Sequence, residues 1–172
     1  MKKLVSLLFI SAILLSSPNL FAQGKVKLGH LDFATLYGSL PGLDSVKTIF
    51  EAYNKSIQDQ NAVMQGELES KFQEYQASVS TMSDIIRATK EAEINDLQSR
   101  MEAFQQKASA DLQNKEAELT APLIEEAKIA VEAVAKEKGY TYVFNSTEGL
   151  LLYSDPADDI MDLVKAKLGI TE

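Results

Sequence analysis

Two long helical patterns constrain this chain more than anything else in it. One runs from Leu43 to about Met82 and the other from Asp84 to about Lys138, with short strand-like pieces on either side. At 1.5 Å rise per residue the first pattern alone extends roughly 60 Å, about twice the diameter of a small domain. Such a pair has to project as an arm from a small body. An arm suits gripping or tethering and argues against a catalytic cleft.

The apolar spacing says how the arm is built. Val46, Phe50, Tyr53, Ile57, Met64, Leu68, Phe72, Tyr75, Val79 and Met82 recur at steps of three and four, with Gln60 filling the one gap. Alternating threes and fours are the heptad seam of a coiled coil. The extra four between Met64 and Phe72 reads as a stutter that locally unwinds the supercoil. On the second helix Ile86, Ile94, Leu97, Met101, Phe104, Ala108, Leu112, Leu119 and Leu123 form a comparable stripe. Joined through residues 80–84, the helices fold back as an antiparallel hairpin, with Ser83 or Asp84 capping the return helix. Gly66 within the first helix and Pro122 within the second are candidate hinges. Glycine costs about 1 kcal/mol relative to alanine in a helix, and proline removes an amide and kinks the chain.

The end pieces read as one body assembled from residues 23–42 and 139–172, with the arm spanning 43–138. Lys25 to Leu31 alternates as a strand, and Asp32 caps a short helix from Phe33 to Tyr37. Tyr140 to Phe144 is a second strand, with Leu150 to Tyr153 expected as its hairpin partner. Asp155 with Pro156 opens a last helix burying Ile160, Leu163, Val164 and Leu168. Three short strands and one helix make a meagre core with open sheet edges. The sequence therefore predicts an obligate oligomer, joined through Val26, Leu28, Leu31, Tyr142, Phe144, Leu151 and Tyr153. The expected fold class is α+β, mostly helical.

The first 22 residues have the layout of a secretory signal peptide. Lys2 and Lys3 precede an apolar run from Leu4 to Leu15, Pro18 breaks it, and cleavage is expected after Ala22. That predicts a soluble, exported chain. There is no cysteine for disulfide or thiolate chemistry. Losing Lys2 and Lys3 takes the formal charge from −8 to −10. So acidic a chain is a poor match for nucleic acid, whose phosphates demand a basic surface.

Several short motifs occur in a fixed order: Gly29-His30-Leu31-Asp32, the two-helix arm, Ala121-Pro122-Leu123-Ile124 and Lys138-Gly139-Tyr140. Phe144-Asn145-Ser146 and Tyr153-Ser154-Asp155-Pro156 complete the set. Together they resemble the Skp/OmpH family of periplasmic chaperones over essentially the whole mature chain. The resemblance implies a jellyfish-shaped homotrimer with a β-barrel body and three coiled-coil tentacles around a cavity. It implies a periplasmic holdase for unfolded outer-membrane β-barrel proteins, working without ATP. Candidate client-facing residues are then Val63, Met64, Val79, Met82, Ile85 and Ile86, methionine being adaptable at such surfaces.

One departure is charge. The best-known enterobacterial members have basic tentacles, whereas here acids outnumber bases on both helices, which argues against contact with anionic lipid. The other chemical candidates are weak. No GxxxxGK[ST] phosphate loop occurs, and no cofactor is implied. His30 is the sole histidine and reads as structural. Acidic pairs such as Glu125-Glu126 and Asp158-Asp159 suit a solvated face and a helix start better than a metal. Asn145-Ser146-Thr147 matches a glycosylation acceptor by composition alone. No nucleophile, base and orienter set is visible, so an enzyme is not expected. The competing class is a coiled-coil adaptor that tethers a folded envelope partner.

Overall fold

A computed structural model of the chain describes residues 26–170. Its elements in order are β1 (Leu28–Leu31), α1 (Phe33–Gly38), α2 (Leu43–Ser78), α3 (Asp84–Lys138), β2 (Tyr142–Asn145), a single 3₁₀ turn (Pro156–Asp158) and α4 (Met161–Lys167). The signal-peptide expectation falls outside the described residues.

Local chemistry sets most boundaries. Asp32 takes the backbone N–H groups of Ala34 and Thr35 at 2.9 and 3.2 Å and starts α1. Gly42, at φ 93°, turns the chain into α2, a conformation that disfavours any side chain. Ser83 caps α3 through its hydroxyl oxygen and the N–H of Ile86. Gly139, at φ 73°, ends α3, and Lys27 adds its ammonium to the Lys138 carbonyl at 3.0 Å. At 36 and 55 residues the two arm helices extend roughly 54 and 83 Å. Gly66 and Pro122 end neither helix. Both helices run unbroken through them.

β1 and β2 pair in parallel, Leu28 beside Tyr142 through Leu31 beside Asn145. Parallel strands need a long crossover. Here everything from Asp32 to Thr141, the whole arm included, is that crossover. The body's core gathers Leu31, Leu36 and Leu40 from one end of the chain and Ile160 and Val164 from the other. Between them lie Ala127, Ala130 and Val134 on the last turns of α3, whose small side chains admit close approach. Gly29 contributes in the same way. A Cβ there would meet the Tyr140 ring at 3.0 Å and Ile160 at 3.2 Å.

Two expectations for the body are corrected. Leu150 to Tyr153 is not a strand; it forms no ladder with β2. Gly149, at φ 86°, turns the chain, and the chain is then drawn across to β1 instead. His30 donates from Nε2 to the Asp155 carbonyl at 2.9 Å, and the Ile160 N–H meets the His30 carbonyl at 2.9 Å. The last helix is also split. Asp155 caps only the 3₁₀ turn, Asp159 bridges to His30, and α4 starts afresh at Met161. Ile160 and Val164 are buried as expected, but Leu163 faces outward.

Candidate functional site

The arm's seam departs from the sequence pattern in its middle and toward its tip. On α2 the residues turned toward α3 are Leu43, Val46, Phe50, Tyr53 and Ile57, then Asn61, Met64, Leu68, Lys71, Tyr75 and Ser78. The repeated four therefore falls at Tyr53–Ile57–Asn61, not at Met64–Phe72. Gln60 is exposed and Asn61 takes its place, its amide oxygen buried without a partner. Phe72 is pushed outward and Lys71 occupies the seam. On α3 Ile94 and Leu97 are the buried anchors, while nearer the tip Arg87, Lys90 and Glu93 replace the expected Ile86.

The outer third of the arm is thus held by polar contacts. Lys71 pairs with Glu93 across the helices at 3.1 Å, and Lys90 approaches the same carboxylate at 3.8 Å. The hydrogen bond from Lys71, reinforced by its charge, holds the Glu93 carboxyl below its usual pKa. Tyr75 donates its hydroxyl to Glu91 at 2.5 Å, which pushes the phenol pKa up. Arg87 Nε is buried with no partner among the described residues. Buried polar atoms left unpaired are costly, so this end of the arm is poised to loosen.

The six expected client-facing residues divide. Val79, Met82, Ile85 and Ile86 come together around the turn at residues 79–83. Val63 and Met64 lie roughly 22 Å back along α2. Val63 and Ile85 are 67% and 81% exposed, and Ile86 is also exposed. Met64, Val79 and Met82 are half-buried. Phe72, expected in the seam, is also exposed. Its clue was present in the sequence, because Met64–Leu68–Phe72 breaks the three-four alternation that Lys71 keeps.

The body carries the second candidate surface. Strand alternation turns Leu28, His30, Tyr142 and Phe144 to one face and Gly29, Leu31 and Val143 to the other. Leu31, 2% exposed, therefore packs inside its own chain and is not available to a partner. Val26, Leu28, Tyr142, Phe144 and Leu151 are exposed, and Tyr153 reaches 81%. The Tyr142 and Phe144 rings stand side by side with centroids 6.3 Å apart. A groove of about 480 Å³ runs between β2 and α3, lined by Val131, Ala135, Tyr140, Tyr142 and Phe144 among others. A second of about 350 Å³ lies under Leu28, Phe144, Leu151 and Tyr153. No neighbouring strand pairs with the far edge of β2 among the described residues.

His30 is a structural clasp. Buried among these segments, it joins Ser146 through Nδ1 at 3.1 Å and the Asp155 carbonyl through Nε2. Asn145, in the acceptor tripeptide, accepts from the Phe33 N–H and from the Thr147 N–H. Thr147 also donates to Asp32 at 2.7 Å, and that bond is the main reason the Asp32 carboxyl sits below its usual pKa. Among the described residues no three His, Asp or Glu side chains group as a metal would require. No described helix is long and apolar enough to cross a membrane.

A long two-helix arm inserted between paired strands defines the class. Residues 27–168 match the family described as Outer membrane protein (OmpH-like), and the chain belongs to that family. Its fold is similar to the crystal structure of a protein from Caulobacter crescentus described as a candidate outer membrane chaperone (OmpH-like). The two share a TM-score of 0.71 at 14% identity, over 87% of this chain and 90% of the other. No curated protein matches the chain in sequence.

Proposed function

We propose that the mature chain is an ATP-independent holdase of the periplasm that binds unfolded outer-membrane β-barrel proteins and keeps them from aggregating in transit. It acts as a homotrimer whose arms enclose the client. A signal peptide ending at Ala22 delivers it. The observation that carries this reading is the arm itself: Val63, Phe72, Ile85 and Ile86 stand outside the seam although a long coil could have enclosed them. Scattered apolar contacts of this kind bind any extended chain weakly, and several arms closing on one client multiply them through effective concentration. Binding the unfolded state needs no nucleotide, because it opposes aggregation by mass action.

Family membership supports the chaperone role, and the body supports association. Exposed Leu28, Tyr142, Phe144, Leu151 and Tyr153 surround an unpaired strand edge, which a second and third copy would cover. The test dilutes a urea-unfolded outer-membrane barrel protein into mature protein at one trimer per client. Suppressed light scattering is the expected result. Unchanged aggregation, together with a folded partner that copurifies after crosslinking, would point to an adaptor instead.

A further inference from the structure

The arm's charges are unevenly neutralised. Between Leu43 and Lys138 it carries eleven lysines and arginines against eighteen aspartates and glutamates. Nine of those cations are ion-paired with a carboxylate of the same arm, leaving Lys128 and Lys138. Half of the carboxylates are taken up in these pairs and in the one between Glu137 and Lys167. The other half are all glutamates and all exposed. They run from Glu51, Glu67, Glu69 and Glu74 on α2 to Glu125 and Glu126 on α3.

This distribution matters more than the net charge. Exposed pairs are weak, yet a cation engaged in one must give it up to meet an incoming anion. A glutamate outside any ion pair has no cation to give up when one arrives, and only Glu69 and Glu91 among these accept a hydrogen bond, from Gln73 and Tyr75. Glu67 and Glu74 are seven residues, about 10 Å, apart along the helix, close to the Debye length of about 8–10 Å at physiological salt. Their fields overlap partly at physiological salt and more fully at low salt, where the Debye length is longer. Val63 and Phe72 are exposed on the same stretch of α2, so apolar and anionic groups alternate along it.

Resting on the holdase reading above, we propose that the arm selects unfolded polypeptides in which lysine and arginine alternate with apolar residues. Val63, Phe72 and Ile85 receive the apolar side chains, and the free glutamates meet the cations. The same surface turns away anionic lipid.

The test uses the mature protein and two versions of one unfolded barrel client. They match in length and hydropathy and are made net positive or net negative by exchanging lysine and glutamate. Aggregation is followed at 50 and 300 mM NaCl, with anionic phospholipid vesicles as a competitor. The positive client should be held at roughly tenfold lower chaperone concentration at low salt. That advantage should shrink at 300 mM NaCl and in the E67Q/E69Q/E74Q variant, whose helicity is checked by circular dichroism. Equal, salt-insensitive capture of both clients would overturn the selection while leaving the holdase standing. So would vesicles that compete as well as the positive client. If neither client is held at any salt, the holdase reading fails and the selection fails with it.

Discussion

The body and the arm of this molecule solve the same problem of burying apolar surface in opposite ways. In the body, residues more than a hundred positions apart meet: Leu31 and Leu36 pack with Ile160 and Val164, and side chains such as His30 and Thr147 tie the segments together. In the arm, burial is a ladder of pairs between two helices, and only Ile94 and Leu97 along its outer half are fully enclosed. That arrangement predicts a body that unfolds cooperatively and an arm that opens rung by rung. A rigid root carrying a compliant limb suits a grip that must fit many shapes.

The sharpest way to break that comparison is to damage each region once. Ile160→Ala removes a fully buried side chain from the body and should destabilise it by about 2–5 kcal/mol. Leu97→Ala opens a similar hole in the arm, but the two-helix seam can collapse around it, so the cost should sit at the lower end of that range. Denaturant midpoints followed by helix signal and by oligomer mass separate the two outcomes. Ile160→Ala should dissolve the proposed trimer while much of the arm's helix survives, and Leu97→Ala should leave that trimer intact. If both variants unfold everything together, body and arm are one cooperative unit and the contrast is wrong.

Asp32 sharpens the comparison through pH. Its carboxyl is held below its usual value chiefly by the Thr147 hydroxyl, then by Thr35, so the folded state binds its proton less readily than the unfolded chain does. That stabilisation is complete above the ordinary carboxylate range and is lost as pH falls through the lowered value. Asp32→Asn should remove this acid-side slope and lower the melting temperature of the body. An unchanged pH profile would show that the Asp32–Thr147 tie carries no weight. Glu93 in the arm behaves with the same sign, so the Lys71 pair should persist below the pH at which a free glutamate is protonated.

The polar outer seam gives a smaller, local effect. Replacing both Lys71 and Glu93 with leucine substitutes apolar packing for an ion pair, an exchange that is often neutral or stabilising. Amide hydrogen exchange between Leu68 and Leu97 should slow in the double variant. Client capture should weaken with it, because the arm loses compliance. Slower exchange with unchanged capture would mean that loosening of the tip plays no part.

What the sequence made legible follows from which signals are local. The second arm helix has the extent that its flanks announce, from Ser83-Asp84 to Lys138-Gly139, and the first starts after Pro41-Gly42 as expected, because caps and breakers act within one turn. The first ends at Ser78, about four residues short of the expected Met82. The strand Leu150–Tyr153 was misread because β-propensity does not choose a partner. His30 and Ile160 claim the chain beyond it first. The seam was misread at Gln60 and Phe72 because hydrophobicity ranks Phe above Lys. The helical path places Asn61 and Lys71 inward regardless, and each finds or lacks a partner there. At the candidate site, Ile85 and Ile86 were legible as apolar residues beside a turn. That Met64, Val79 and Met82 fold back into the seam depends on register across helices, which no single strand of sequence states.

Gly66 gives the smallest and most diagnostic test. It lies about two-thirds of the way along α2 on the exposed side, and a Cβ there would touch nothing within 4 Å. Gly66→Ala should therefore stabilise the helix by about 1 kcal/mol with no steric penalty. If the arm is merely a long coil, that gain is the whole effect and holdase activity is unchanged. If the arm bends at Gly66 to close around a client, the same substitution stiffens the bend. Large clients should then be held less well while small ones are held as before. A measured gain in stability beside a size-dependent loss of capture would assign the hinge to Gly66. A gain in stability with capture unchanged at every client size would remove it.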